Sequence, residues 1–189
     1  MALRRILQMD DPEDNKILKT PCRRIKLPDR ELKYVVADML ETMHHADGVG
    51  LAAPQIGLSI ALTVIWLPPV CEKQEDGSEI EVAPAQDLAF INPQIVKKSQ
   101  NTIMRQEGCL SLPNWYGDVP RATWVTIEYQ EPNGKTRRLR KIDGLLGWVI
   151  QHEIDHLNGI LFTERMPDPS TLHYISDEEM AEASAVAQV

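Results

Sequence analysis

The shortages in this sequence are informative. Three cysteines in 189 residues are too few, and an odd number, for a disulfide-stapled secreted fold, which favours a reducing compartment. No apolar run approaches the roughly 18 residues of a membrane span. The first residues carry Arg4 and Arg5 but no apolar stretch like that of a secretory signal, so a cytoplasmic location and no membrane are expected. Positive charge is also scarce. Against 28 Asp and Glu stand 20 Lys and Arg, a net charge of −8, which predicts no general nucleic-acid binding. There is no internal repeat and no regular βαβ alternation. Hydrophobic residues at 43% and charged ones at 25% match an ordinary globular domain with a real core.

The acidity is unevenly placed. Residues 68–87 hold six acids against Lys73 alone, and residues 163–189 hold six against Arg165 alone. Each segment is therefore −5, and the remainder, with 18 bases and 16 acids, is +2. The first, rich in Pro and acid, reads as a long loop or insertion. The second reads as a peripheral acidic tail, in which Ser176 and Glu179 have capping-box spacing for a short helix from Asp177. The expected organisation is one domain over residues 1–163, carrying the acidic insertion 68–87, followed by the tail 164–189.

In the body, residues 29–46 read as a helix. Leu32, Val35, Val36, Met39, Leu40 and Met43 recur at helical spacing, Asp29 can cap the start, and Gly48 follows the end. Residues 59–67 (SIALTVIWL) read as a buried strand. Residues 124–129 and 136–142 flank Asn133-Gly134, a hairpin signal. Residues 144–157 read as another helix, buried on the side of Leu145, Trp148, Val149 and His152, with Asn158-Gly159 as its stop. The fold class is α+β: short antiparallel strands around a central metal-ligand helix, plus an N-terminal helix.

Three motifs carry chemistry. In His152-Glu153-Ile154-Asp155-His156, two imidazoles four residues apart on a helix can reach one metal, and Glu153, offset by about 100°, suits a general base. A catalytic site of this type takes a third protein ligand. The downstream position where some such enzymes place a third His holds Phe162, and Glu164 comes too soon. Upstream, Glu107-Gly108-Cys109-Leu110-Ser111 offers Cys109, with Gly108 permitting close backbone approach. Cys22 and Cys71 read as inert. A Cys-His nucleophile pair is the competing reading, though it leaves Glu153 and the four-residue His spacing unused. The third motif, residues 48–55 (GVGLAAPQ), has small residues against which an extended substrate can lie. Gln55 is its side-chain hydrogen-bond donor, suited to a developing oxyanion.

Together and in this order, GVGLAAPQ, EGCLS and QHEIDHLNG (residues 151–159) resemble the peptide deformylase family, with similarity over most of residues 3–163. The resemblance implies a hydrolase that removes the formyl group from newly made polypeptides beginning with N-formylmethionine. The attack on the formyl carbon would be by metal hydroxide. It implies metal ligands Cys109, His152 and His156, with Glu153 as acid/base, and Gln55 and the Leu110 N–H at the formyl oxygen. Gly50 would contact the substrate backbone. The metal implied is Fe2+, with Zn2+, Ni2+ or Co2+ able to substitute. By motif alignment and helix facing, Val49, Leu110, Leu145, Trp148 and Val149 are the candidate lining for the methionine side chain, with plain core packing as the alternative for the last three. Glu107 and Arg105 are candidates for the mouth, and Arg121 and Asp155 for a pair that positions the ligand helix.

Two departures stand out. The 68–87 stretch is longer than in many bacterial members. The ribosome is a further candidate partner, but an acidic end offers no counterpart to the basic C-terminal helix that some members use for docking. A metallopeptidase and a non-catalytic peptide binder are the other function classes. The first lacks its third His, and the second would need a broken motif.

Overall fold

The computed structural model describes residues 2–74, 78–176 and 178–179. Among them are three α-helices and a set of antiparallel strands. In chain order these are α1 (Pro12–Leu18), α2 (Leu32–His45), β1 (Gly50–Ala52), β2 (Leu62–Leu67), β3 (Val70–Lys73), β4 (Glu79–Ala83), β5 (Gln86–Lys98), β6 (Thr102–Cys109), β7 (Leu112–Ala122), β8 (Val125–Gln130), β9 (Thr136–Ile142), α3 (Gly144–Leu157) and β10 (His173–Tyr174). One sheet runs β1-β2-β5-β8-β9, a second runs β10-β7-β6, and β3 and β4 form a separate ribbon.

The apolar stripe of α2 packs as its spacing predicts. Met39 and Met43 are fully buried among Leu51, Leu62 and Val64. Its ends differ from expectation. Glu31 is the N-cap and makes no side-chain cap bond. The Asp29 carboxylate instead accepts the Glu31 N–H, a local turn that precedes the helix. At the other end the left-handed residue is Asp47 (φ 52°), not Gly48. Gly48 is required for space: a β-carbon there would lie 2.7 Å from Leu110 Cδ1.

The hairpin of β8 and β9 closes through Gly134 at φ 85°, and residues 59–61 precede β2 rather than extending it. Helix α3 is buried on more sides than the single stripe expected. It packs on β1, β2, β5, β7 and β9. Val149, Ile150 and Ile154 meet Ile65, Phe90, Val125 and Ile127, while Glu153, Asp155 and His156 are buried as well. Leu145, Trp148 and His152 are only half-buried.

The 68–87 segment is not a long loop. β3 pairs with β4, and β5 begins at Gln86. Apolar residues Val70, Ile80 and Val82 are spaced among the acids, which reads as strand once a partner strand is present. Charge along such an isolated ribbon discourages further edge pairing. The chain after residue 163 is not wholly peripheral either. Met166 and Leu172 pack with Val119 and Phe162, and β10 pairs with Tyr116 and Trp115 of β7. Ser176 and Glu179 make the reciprocal bonds of a capping box (Glu179 N–H to Ser176 Oγ 3.2 Å, Ser176 N–H to Glu179 Oε2 2.8 Å). The helix expected from Asp177 lies largely outside the described residues.

The two cysteines read as inert differ in environment. Burial pushes the Cys22 thiol up to about 11, whereas Cys71 is exposed on the ribbon. Only thiolate attacks an alkylating reagent, so at pH 8 about one Cys22 in a thousand is reactive, rising as pH climbs toward 11. Mass-mapped iodoacetamide labelling is expected to modify Cys71 first and Cys22 slowly. Equal rates would contradict this placement.

Candidate functional site

The third motif meets the second where α3 passes the end of β6. Cys109 follows a bulge in the β6–β7 ladder, after Gly108 pairs with Tyr116. A β-carbon at Gly108 would lie 2.7 Å from the Tyr116 ring, so glycine lets the strand turn Cys109 toward α3. The ligand-type atoms of Cys109, His152 and His156 all lie within 4.8 Å of one another. Cys109 Sγ is 3.2 Å from His156 Nε2, which is 3.2 Å from His152 Nε2. Two imidazole nitrogens and a sulfur facing each other so closely need a shared proton or cation between them. The donor set, one thiolate and two imidazoles, fits a borderline-soft divalent cation.

Charge at this cluster is strongly perturbed. Burial pushes the Cys109 thiol up, but His156 and His152 outweigh it and hold the thiol well below its ordinary value. Burial likewise lowers His152, yet its bonds to Cys109 and Glu107 raise it well above the usual histidine range. Glu153 is pushed up to about 7, chiefly by burial, which the two histidines only partly offset. Thr63 Oγ1 donates to its Oε2 at 3.3 Å. Gly50 makes room for this carboxyl, since a β-carbon there would collide with Glu153 Oε1 and lie 2.8 Å from Val149 Cγ1.

Gln55 is 2% exposed. Its Oε1 accepts the Ala52 N–H (2.8 Å), which fixes the amide so that Nε2 points to Cys109 Sγ (3.4 Å) and Ser111 Oγ (3.2 Å). The N-terminal strap ties this arrangement down. Leu7 N–H donates to the Gln55 carbonyl (2.7 Å) and Met9 N–H to that of Ser111 (2.8 Å).

A cavity of about 510 Å³ opens onto these groups. Val49, Gly50, Gln55, Cys109, Leu110, Trp148, Val149, His152 and Glu153 line it. His156 is 1% exposed and reaches the cluster from below. Leu145 sits instead against the core cluster of Ile65, Phe90 and Val125. Asn114, Trp115 and Tyr116 also line the cavity, and Tyr174 of β10 stacks edge-on to Trp115 at 5.7 Å. No sequence signal in the tail pointed there.

Glu107 is the hub that residue types alone did not reveal. Its carboxylate accepts bonds from Arg121 Nε (2.6 Å) and Nη2 (2.8 Å), Trp148 Nε1 (2.7 Å) and His152 Nδ1 (2.9 Å). Burial opposes its charge, but Arg121 and His152 hold it down at about 2. Because Nδ1 of His152 is engaged, Nε2 is the atom left facing the cluster. Arg121 Nη1 also donates to Asp155 (2.5 Å), and Arg165 Nη2 closes the chain on Asp155 (2.6 Å). Arg105 lies 5.6 Å over the Trp148 ring.

A family model described as polypeptide deformylase matches residues 3–171. The chain is 65% identical to a peptide deformylase of Chloroflexus aggregans, over 96% of this chain and 97% of the relative. It is 60% identical to one of Roseiflexus sp., over 98% and 100%. The crystal structure of peptide deformylase from Thermotoga maritima superposes with a TM-score of 0.73 at 32% identity, over 89% of this chain and all of that one.

Proposed function

Since this chain belongs to the peptide deformylase family, we propose that it hydrolyses the N-formyl group of polypeptides beginning with N-formylmethionine, releasing formate. The convergence of Cys109, His152 and His156 beside the buried Glu153, at the floor of one cavity, carries the reading. In this reading α3 is the central helix and its two histidines, with Cys109, hold a divalent metal. Iron(II) is put first by the family resemblance, with zinc, nickel or cobalt suiting the same donors. Held by these three residues, such a cation would supply a Lewis acid and make hydroxide accessible near neutral pH.

The chain's own groups do the rest. Glu153 takes the proton of the attacking water and returns it to the departing amine. Gln55 Nε2 and the Leu110 N–H receive the negative charge that grows on the formyl oxygen. The backbone at Gly50 aligns the peptide, with Val49, Leu110, Trp148 and Val149 around the methionine side chain and Leu145 supporting them from the core. Residues 1–163, with the acidic insertion 68–87, carry the three motifs, and the segment that follows completes the same domain through Met166, Leu172 and β10. The setting that fits this substrate is the bacterial cytoplasm.

Anaerobically purified, metal-loaded protein is expected to release formate from formyl-Met-Ala and to leave unformylated peptides intact. Internal peptide-bond cleavage without formate release would overturn the assignment.

A further inference from the structure

On β8 and β9, Ile127 and Leu139 face the α3 cluster, so the alternating neighbours Thr126, Arg138 and Arg140 project from the other face of the sheet. There a cleft of about 360 Å³ is lined by Val96, Lys97, Thr126, Arg138, Arg140 and Lys141. Four of the six are cations, in a chain whose net charge is −8. Residues 137–141 read RRLRK, the density of cations seen in nucleic-acid patches. Arg138 is paired with Glu128. Among the described residues Lys97, Arg140 and Lys141 make no ion pair. Lys141 is held at φ 52°, a conformation unusual for lysine, with its N–H on Thr126 Oγ1 (3.1 Å) and its ammonium 5.7 Å from the Trp124 ring.

Like charges gathered round one cleft repel, and an anion with several charges relieves that repulsion. We propose that this cleft docks the phosphate backbone of an RNA, without reading its sequence. The guanidinium fork of Arg140 matches phosphate oxygens, Lys97 and Lys141 add point charges at the rim, and Arg138, whose Nε and Nη2 are on Glu128, lines the wall. A membrane surface fits less well. The cations line a concavity, and Val96 is the one apolar side chain in it, whereas interfacial binding uses an apolar face that enters the lipid. The −5 on each of two other segments suppresses binding elsewhere on the molecule, so docking here is oriented rather than general.

The test is fluorescence anisotropy of a labelled RNA hairpin with the metal-loaded full chain. Three phosphate contacts, from Lys97, Arg140 and Lys141, predict binding about 40-fold weaker at roughly 200 mM than at 50 mM salt. Lys97→Glu with Arg140→Glu is expected to weaken binding by about tenfold or more and lower the salt slope by about two. Turnover on a free formylated peptide should stay unchanged, which also reports folding. Lys97→Gln with Arg140→Gln serves as a milder pair should the reversal fail to fold, and should weaken binding by about threefold or more. Lys16→Glu with Lys33→Glu, the same charge change on α1 and α2, should cost less than about threefold. Equal loss from the cleft pair and this control pair would mean net charge alone, and would overturn the site. So would absence of salt-dependent binding, or tighter binding to phosphatidylserine vesicles than to the hairpin through the same residues.

Discussion

Glu153→Ala is expected to keep its metal while losing turnover by about 10²–10⁴-fold, the range for removing a positioned acid/base. Glu153 is 3% exposed and sits between Thr63 and the space that Gly50 leaves open. A water reaching the cavity floor meets this carboxyl beside the Cys109–His152–His156 cluster. Metal analysis and formate release on the same preparation separate the outcomes. Unchanged turnover removes Glu153 from proton transfer. Loss of metal along with turnover assigns it to holding the site instead.

Glu107→Ala is expected to have the largest effect on stability. It strips two bonds from Arg121, which is 5% exposed, leaving a buried guanidinium with Asp155 alone. Breaking one side of a buried ion pair costs about 3–5 kcal/mol, a fall in Tm of roughly 6–20 °C for a chain of this size. The same change frees His152 Nδ1, so the ring no longer has a fixed tautomer or orientation, and metal affinity should drop by about 10- to 100-fold. Thermal unfolding and metal titration of Glu107→Ala test both effects. Wild-type values in both would show that the four bonds to Glu107 are dispensable. Glu107→Gln should retain more of the stability than of the affinity, since its amide keeps the shape but loses the charge that orients His152.

Several elements were legible because their signals are local. The α2 stripe and the β8–β9 turn depend on neighbours a few residues away, and helical geometry puts His152 and His156 on one side whatever surrounds them. The Arg121–Asp155 contact was also anticipated, through motif resemblance. Other features were illegible for the opposite reason. β3 and β4 read as loop because acids mask their alternation until each strand has a partner. Tyr174 carries no motif, and reaches the cavity rim only because β10 adds to the edge of β7. Leu145 shares the apolar character of Trp148 and Val149, yet those two line the cavity and Leu145 packs on the core cluster that Val149 also joins.

The shortages of the sequence and its three motifs by themselves determined the donor types, one thiol and two imidazoles with a carboxyl beside them, and the kind of chemistry these support. Tertiary structure alone decided that Cys109 meets α3 at all. Its side chain faces the histidines because of the bulge after Gly108, and a one-residue slip in that ladder would turn it to the opposite face. Tertiary structure likewise placed Glu107 where four donor atoms converge, two from Arg121 and one each from Trp148 and His152. Spacing along a helix is set by the backbone, while contacts between distant segments depend on register and packing that no local pattern encodes.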